Sequence, residues 1–379
     1  MQLPEPDSDS IQQSQVLIEH LTRIIEENGG VISFQQYMET VLYAPALGYY
    51  SAGRTKFGAA GDFVTSPEIS DLFGKTLAVQ LKSLFDQGCN TSILEFGAGS
   101  GELCRQILSQ FDCPLEYFIL EISADLRGRQ QNYLARELSS DQFERVHWLD
   151  RLPEKFNGVV LANELLDAMP VALLEKQTEW TEVGVGYKDG KLYWRNIDIH
   201  GPAIDAMFEI ESRLGSFESG YRTEFNLNYQ PWFNSLYKSC NQAVILLIDY
   251  GYEQPEYYHP NRSQGTLICH FQHHAHADPL VYPGLQDITA FVDFDAVADA
   301  AEAAGFETLG LTSQHRFLLQ NGLLDLAAIH SAEADITTTI RISQEIKTLT
   351  LPEEMGDKFK VVAFHKNSRI HMPAFDQLR

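Results

Sequence analysis

Ser92-Ile93-Leu94-Glu95-Phe96-Gly97-Ala98-Gly99-Ser100-Gly101-Glu102-Leu103 is the stretch on which the fold turns. An apolar run of strand character meets three glycines at every second position, and a helical pattern follows from Gly101 to Gln110. Glycines at such a turn let the backbone approach a ligand closely and supply dihedrals that other residues avoid. A dinucleotide fingerprint, G-x-G-x-x-G, needs glycine at 102, where this chain has Glu102. A pyrophosphate seeks bare amides, so carboxylates at Glu95 and Glu102 suit a cationic ligand better. Adenosylmethionine, which carries ammonium and sulfonium groups and no phosphate, is such a ligand.

Outward from this loop the pattern alternates between strand and helix. Tyr117–Ile122, Gly158–Glu164 and Ala243–Gly251 are short apolar runs that read as strands buried on both faces of a parallel sheet. Gly101–Gln110 and Asp125–Leu138 read as the helices between them. Glu121, at the end of the second strand, is placed to accept both hydroxyls of a ribose. If Val146–Trp148 is the third strand, Asp150 lies where adenine would sit, with a solvated turn residue as the alternative. The expected cofactor residues are therefore Glu95, Gly97, Ala98, Gly99, Gly101, Glu121 and Asp150, with Asn163 at the fourth strand end.

Asn163-Glu164-Leu165-Leu166-Asp167-Ala168-Met169-Pro170 closes that fourth strand. Strand C-terminal ends face the ligand crevice in open α/β sheets, so Glu164 and Asp167 are the candidate catalytic pair. A guanidinium stays protonated at neutral pH, and its planar fork matches carboxylates. A helix-start carboxylate pair with no role in chemistry is the alternative. The aromatic that stacks a flipped base in Asn/Asp-Pro-Pro-aromatic motifs is absent here.

Before the core, Leu17, Leu21, Ile24 and Ile25 recur at helical spacing, and Ser33 with Gln36 reads as a capping box. The Gly-rich stretch from Tyr49 to Pro67 reads as a lid over the cofactor, with a simple connector as the alternative, and adds Thr65, Ser66 and Pro67 to the expected contacts. Ser66-Pro67 is also a helix-start signal. Residues 1–90 are thus read as N-terminal helices and lid, 91–170 and 243–379 as two parts of the core, and 171–242 as an inserted substrate-side subdomain. Late in the chain a helix over Val292–Ala304, a strand at FETLGLT, a helical FLLQNGLLDLAAI and a terminal FKVVAFH strand complete the order. Asp249, Asp287 and Asp293 are further acidic wall candidates. His270, His273, His274, His276 and Asp278 offer metal-ligand chemistry without a register to converge them, so no metal is expected.

Asp and Glu outnumber Lys and Arg by 52 to 28, a formal charge of -24. Such a field repels nucleic acid and favours cationic partners, with plain solubility as the simpler reading. No apolar run is long enough to span a bilayer. Five cysteines without a C-x-x-C pair read as reduced thiols. The polar, acidic opening residues set the expectation of a cytoplasmic protein, or a matrix protein relieved of a targeting segment.

GDFVTSPEISDLFG, LEFGAGSGEL, ANELLDAMPV, LLIDYGY, HFQHHAHADPLVYPGLQDITAFVDF and LPEEMGDKFKVVAFH together resemble the MidA family. These are mitochondrial complex I assembly-factor methyltransferases and their bacterial relatives, and the resemblance runs from about Tyr49 to Phe364. It implies a Rossmann-like class I methyltransferase fold, S-adenosylmethionine as cofactor, and arginine methylation of a protein such as a respiratory complex I subunit. It also implies a cofactor loop at Gly97, Gly99 and Gly101, a ribose ligand at Glu121, and an acidic acceptor site at Glu164 and Asp167. A homodimer is left open. A small-molecule methyltransferase and a non-catalytic assembly factor that binds the cofactor are the competing readings.

Overall fold

The computed structural model describes residues 3–52, 64–112, 114–197, 201–332 and 334–376. The chain forms two compact units, one of residues 1–63, 166–231 and 252–293, the other of residues 64–165, 232–251 and 294–379.

The second unit is built on a sheet whose spatial order is Glu307–Ser313, Phe359–Lys366, Cys240–Tyr252, Phe156–Asn163, Ser92–Phe96, Glu116–Leu120 and Val146–Leu149. Ser92–Phe96 runs parallel to both of its neighbours, and the last five strands of this order are all parallel. Phe359–Lys366 is antiparallel to the strands on either side of it. Helices cover the sheet, which is why its strands read as unbroken apolar runs: Ile93, Val159, Leu161, Val244, Leu246 and Val361 are all buried in one core. The chain leaves Ser92–Phe96 toward one side of the sheet and later returns to its other side. This switch point opens a crevice at the strand C-terminal ends, where such sheets bind ligands. The late helical run splits into Gln314–Gln320 and Leu323–Ala332 at Asn321-Gly322. A helix at Ile336–Thr350, capped by Asp335, was not expected from the sequence, since its Thr-rich start is poor helix chemistry.

In the first unit, Trp180–Lys188 pairs antiparallel with Ile32–Ser33, Ala172–Lys176 and Lys191–Ile197, and Ala172–Lys176 pairs with Arg222–Phe225. Its faces alternate with period two. Leu173 packs with Leu17, Tyr37 and Val41 of the helices Ser8–Glu27 and Phe34–Tyr43. Leu174 packs on the opposite side with Ile204 and Met207 of Pro202–Leu214. These units divide the chain at other places than the expected boundaries at residues 90, 170 and 242. The N-terminal helices cannot stand alone, because their apolar faces are satisfied by the sheet of the excursion, so both belong to one unit. Residues 64–90 join the other unit, where Asp71–Asp86 buries Leu77, Leu81 and Leu84 in the core.

The capping box is formed: Ser33 Oγ accepts from the Gln36 N–H at 3.1 Å. Ser66-Pro67 does open a helix, but only Ser66–Ile69, with Thr65 as its N-cap; a longer helix restarts at Asp71 from Ser70. Most of the lid stretch, 53–63, lies outside the described residues. Among the described residues, Cys89, Cys104, Cys240 and Cys269 are free and buried, and no helix is long and apolar enough to cross a membrane.

Candidate functional site

Gly97, Gly99 and Gly101 all have positive φ, at 63°, 54° and 88°. L-residues avoid this region, so the G-x-G-x-G spacing is a conformational requirement. The Gly97 N–H donates to the Leu120 carbonyl at 3.1 Å, and the Gly101 N–H to the Ala98 carbonyl at 2.8 Å, which folds the loop tightly across the end of Ser92–Phe96. A Cβ on Gly97 would stand 3.2 Å from Leu165 Cδ1.

Glu121 ends the neighbouring strand and is buried. One carboxylate oxygen accepts from the Ser123 N–H at 2.8 Å and the other from Gln130 Nε2 at 3.1 Å. Ile122, next in the chain, is 78% exposed and so presents an apolar surface beside Glu121. A glycine backbone free of side chains, a carboxylate held in fixed orientation and an exposed apolar surface fit a nucleoside cofactor. Asp150 lies at the end of the next strand, its carboxylate 2.7 Å from Arg127 Nη1 and largely in solvent. Sequence reasoning missed Ile122 and Gln130. The first was the last residue of an apolar run, and the second carries no motif.

Glu102 and one expected contact, Glu95, are otherwise engaged. Glu102 is bound by Arg105, at 3.1 and 3.2 Å through Nε, and by the Tyr133 hydroxyl, so it braces two helices. Glu95 points into the core, where the Tyr117 hydroxyl donates to it at 2.8 Å. The reason is the pleat: in the strand Glu95 faces the same interior as Ile93, and only the glycines beyond it turn to the crevice. The case for a cationic ligand that rested on these two carboxylates is thereby corrected.

Burial pushes the Glu95 carboxyl up from 4.5 to about 7; the Tyr117 hydrogen bond opposes this and the charge of Glu121 adds to it. A raised carboxyl pKa leaves stability intact below 4.5 and removes it as pH climbs toward 7. The loss is about 3 kcal/mol once the group is ionised. Glu95→Gln carries no such titration. Its urea midpoint should therefore gain on wild type between pH 5 and pH 8, and an equal difference at both values would show that Glu95 does not titrate there.

Glu164 follows the end of Phe156–Asn163 with φ at 52°, a strained setting for a non-glycine residue. Its N–H donates to the Ile248 carbonyl at 2.8 Å. Its carboxylate accepts from the Ser66 N–H at 3.2 Å and from Asn163 Nδ2 at 3.0 Å. Ser66 is fully buried, and Pro67 offers its carbonyl to Gln106 Nε2 at 2.6 Å. The Ser66 hydroxyl is spent on Gln314 Oε1 at 3.4 Å, and the second unit brings Ser66, Asn163 and Glu164 together.

Asp167 belongs to the first unit, as do Asp287 and Asp293. All three are buried. The Tyr50 hydroxyl donates to Asp287 Oδ1 at 2.8 Å, and its ring stacks on Tyr43 at 5.4 Å. Burial raises the Tyr50 phenol well above its ordinary value, with Asp287, Tyr43 and Asp167 adding to the rise, so it stays a proton donor at neutral pH. Asp249, in the second unit, is also buried and caps the Tyr250 N–H at 2.9 Å. The histidine stretch forms the antiparallel pair Ile268–Phe271 and His274–His276, where His274 Nδ1 lies 2.7 Å from the Gln272 carbonyl.

Residues 72–312 match the profile of a family of S-adenosyl-L-methionine-dependent methyltransferases. A protein from Burkholderia thailandensis, solved with bound S-adenosyl-homocysteine, is 40% identical, superposes with a TM-score of 0.90, and the match covers 98% of this chain and 97% of that one. The mitochondrial protein arginine methyltransferase NDUFAF7 of Danio rerio is 27% identical over 96% of this chain and 89% of its own length. Its Drosophila melanogaster homologue is 29% identical over 88% and 81%.

Proposed function

We propose that this chain, which belongs to the MidA/NDUFAF7 family of S-adenosyl-L-methionine-dependent methyltransferases, delivers its methyl group to the guanidinium of an arginine in a protein. When bound, S-adenosyl-L-methionine supplies a methyl group on a positively charged sulfur. The glycine loop and Glu121 hold the nucleoside, and Ile122 offers the base an apolar surface.

The observation that carries the arginine reading is Glu164. A carboxylate stands at a strand C-terminal end on a strained backbone, fixed from two sides by Ser66 and Asn163. Preorganisation of this kind suits a planar, charged acceptor. The carboxylate takes one edge of the guanidinium fork and draws positive charge away from the attacking nitrogen. It also accepts the proton which that nitrogen sheds as it gains the methyl group and S-adenosyl-homocysteine leaves. Placement in line supplies most of the remaining acceleration. The named activity of the mitochondrial relatives points the same way, and the acidic net charge favours a cationic segment. A complex I subunit is the protein class that the family resemblance favours.

The test is incubation with methyl-labelled S-adenosyl-L-methionine and an extract divided into macromolecular and small-molecule fractions. Label should enter the macromolecular fraction and become soluble after proteolysis. Label confined to the small-molecule fraction would replace this reading with a metabolite acceptor.

A further inference from the structure

Gln130, on the helix Ala124–Glu137, is completely buried, and both polar atoms of its amide are hydrogen-bonded within the protein. Nε2 donates to the Gly99 carbonyl at 3.0 Å and to Glu121 Oε2 at 3.1 Å. Oε1 accepts from the Trp148 indole N–H at 3.1 Å. One side chain thus ties together the glycine loop and the ends of the second and third parallel strands. The indole is a donor only, so it fixes which way the amide faces. A flipped amide would set two donors against each other at Trp148 and oxygen against oxygen at Glu121. Arg127, one turn earlier on the same helix, braces the neighbouring backbone by donating to the Leu149 and Glu121 carbonyls at 2.8 and 3.3 Å.

We infer that Gln130, oriented by Trp148, is a positioning residue that aims the Glu121 carboxylate at the ribose hydroxyls and holds the Gly99 carbonyl out of their way. This rests on the reading of Glu121 as the ribose ligand. Ser123 grips one carboxylate oxygen of Glu121 and Gln130 the other, which fixes the orientation of the carboxylate. Without Gln130 the carboxylate rotates, while the glycine loop is still closed by its own Gly97–Leu120 and Gly101–Ala98 backbone bonds. The effect falls on ligands that carry both hydroxyls and spares ligands that lack them.

The test is calorimetric binding of S-adenosyl-homocysteine and of its 2′,3′-dideoxy analogue to wild type, Gln130→Met, Trp148→Phe and Glu121→Gln. Thermal melts confirm that each variant is folded. In wild type the hydroxyls should be worth roughly 10- to 100-fold in affinity, the range of charge-assisted hydrogen bonds. Gln130→Met should lose most of that advantage while binding the dideoxy analogue as wild type does, and Trp148→Phe should show a smaller loss of the same kind. Equal weakening of both ligands in Gln130→Met would make Gln130 a packing residue and overturn the inference. If Gln130→Met fails to fold, Trp148→Phe decides alone by the same comparison. If Glu121→Gln keeps the full hydroxyl advantage, the ribose reading itself fails. If only Glu121→Gln loses it, the ribose reading stands and the positioning role falls.

Discussion

Glu164→Gln should leave the protein folded and able to bind S-adenosyl-homocysteine, while methyl transfer falls by roughly 30- to 5,000-fold. Glutamine keeps the length of the side chain and an oxygen that still accepts from the Ser66 N–H and from Asn163 Nδ2. The two bonds that hold the residue in its strained conformation therefore survive. What disappears is the negative charge that pairs with a guanidinium. Truncating one partner of a buried charge pair costs about 2–5 kcal/mol, which is the source of the expected range. The measurement is a single-turnover rate with labelled cofactor, alongside calorimetry on the same preparation. Wild-type rates with Glu164→Gln would make the carboxylate a purely structural brace of the Ser66 turn. Loss of cofactor binding together with rate would place Glu164 on the cofactor instead of the acceptor.

Gly99→Val should abolish measurable binding of S-adenosyl-homocysteine, a loss of at least roughly 10²-fold from backbone strain and steric block together. Gly99 has φ at 54°, where a β-branched residue is a genuine outlier. Its carbonyl is also the group that Gln130 anchors, so any relaxation of the strained backbone would pull the loop away from Glu121. The fold should persist, because the turn lies beyond the buried part of Ser92–Phe96. Calorimetry on folded Gly99→Val that gave wild-type affinity would show that the glycine loop does not touch the cofactor.

The parallel sheet was legible because burial on both faces leaves an unbroken apolar signature, as in Ala243–Gly251 and Gly158–Glu164. The glycine turn was legible for a different reason: positions 97, 99 and 101 take positive φ, which glycine tolerates best. The first unit was not legible as a unit. Its strands alternate in burial, as Leu173 and Leu174 show, and it is assembled from three separated stretches of chain. Local pattern carries no information about which helix will cover which face of such a sheet.

At the site the same contrast holds. Glu121 could be read from its position at a strand end, and the pairing with Ser123 and Gln130 agrees with a fixed carboxylate. Glu95 could not be placed correctly. An acidic residue beside a glycine loop looks like a ligand contact until the pleat turns it inward to Tyr117. Gln130 was invisible because its role comes from three bonds to residues 9, 18 and 31 positions away. Glu164 was legible as a carboxylate at a strand end, but its left-handed backbone was not.

The most direct measurement is the identity of the methylated atom. The protein is incubated with methyl-labelled S-adenosyl-L-methionine and an extract of its source organism, and the labelled protein is digested and mapped by mass spectrometry. The account predicts a small set of labelled proteins carrying methyl groups on arginine guanidinium nitrogens, absent when Glu164→Gln replaces the wild type. Methyl groups on lysine, on a carboxylate or on a small metabolite would contradict it.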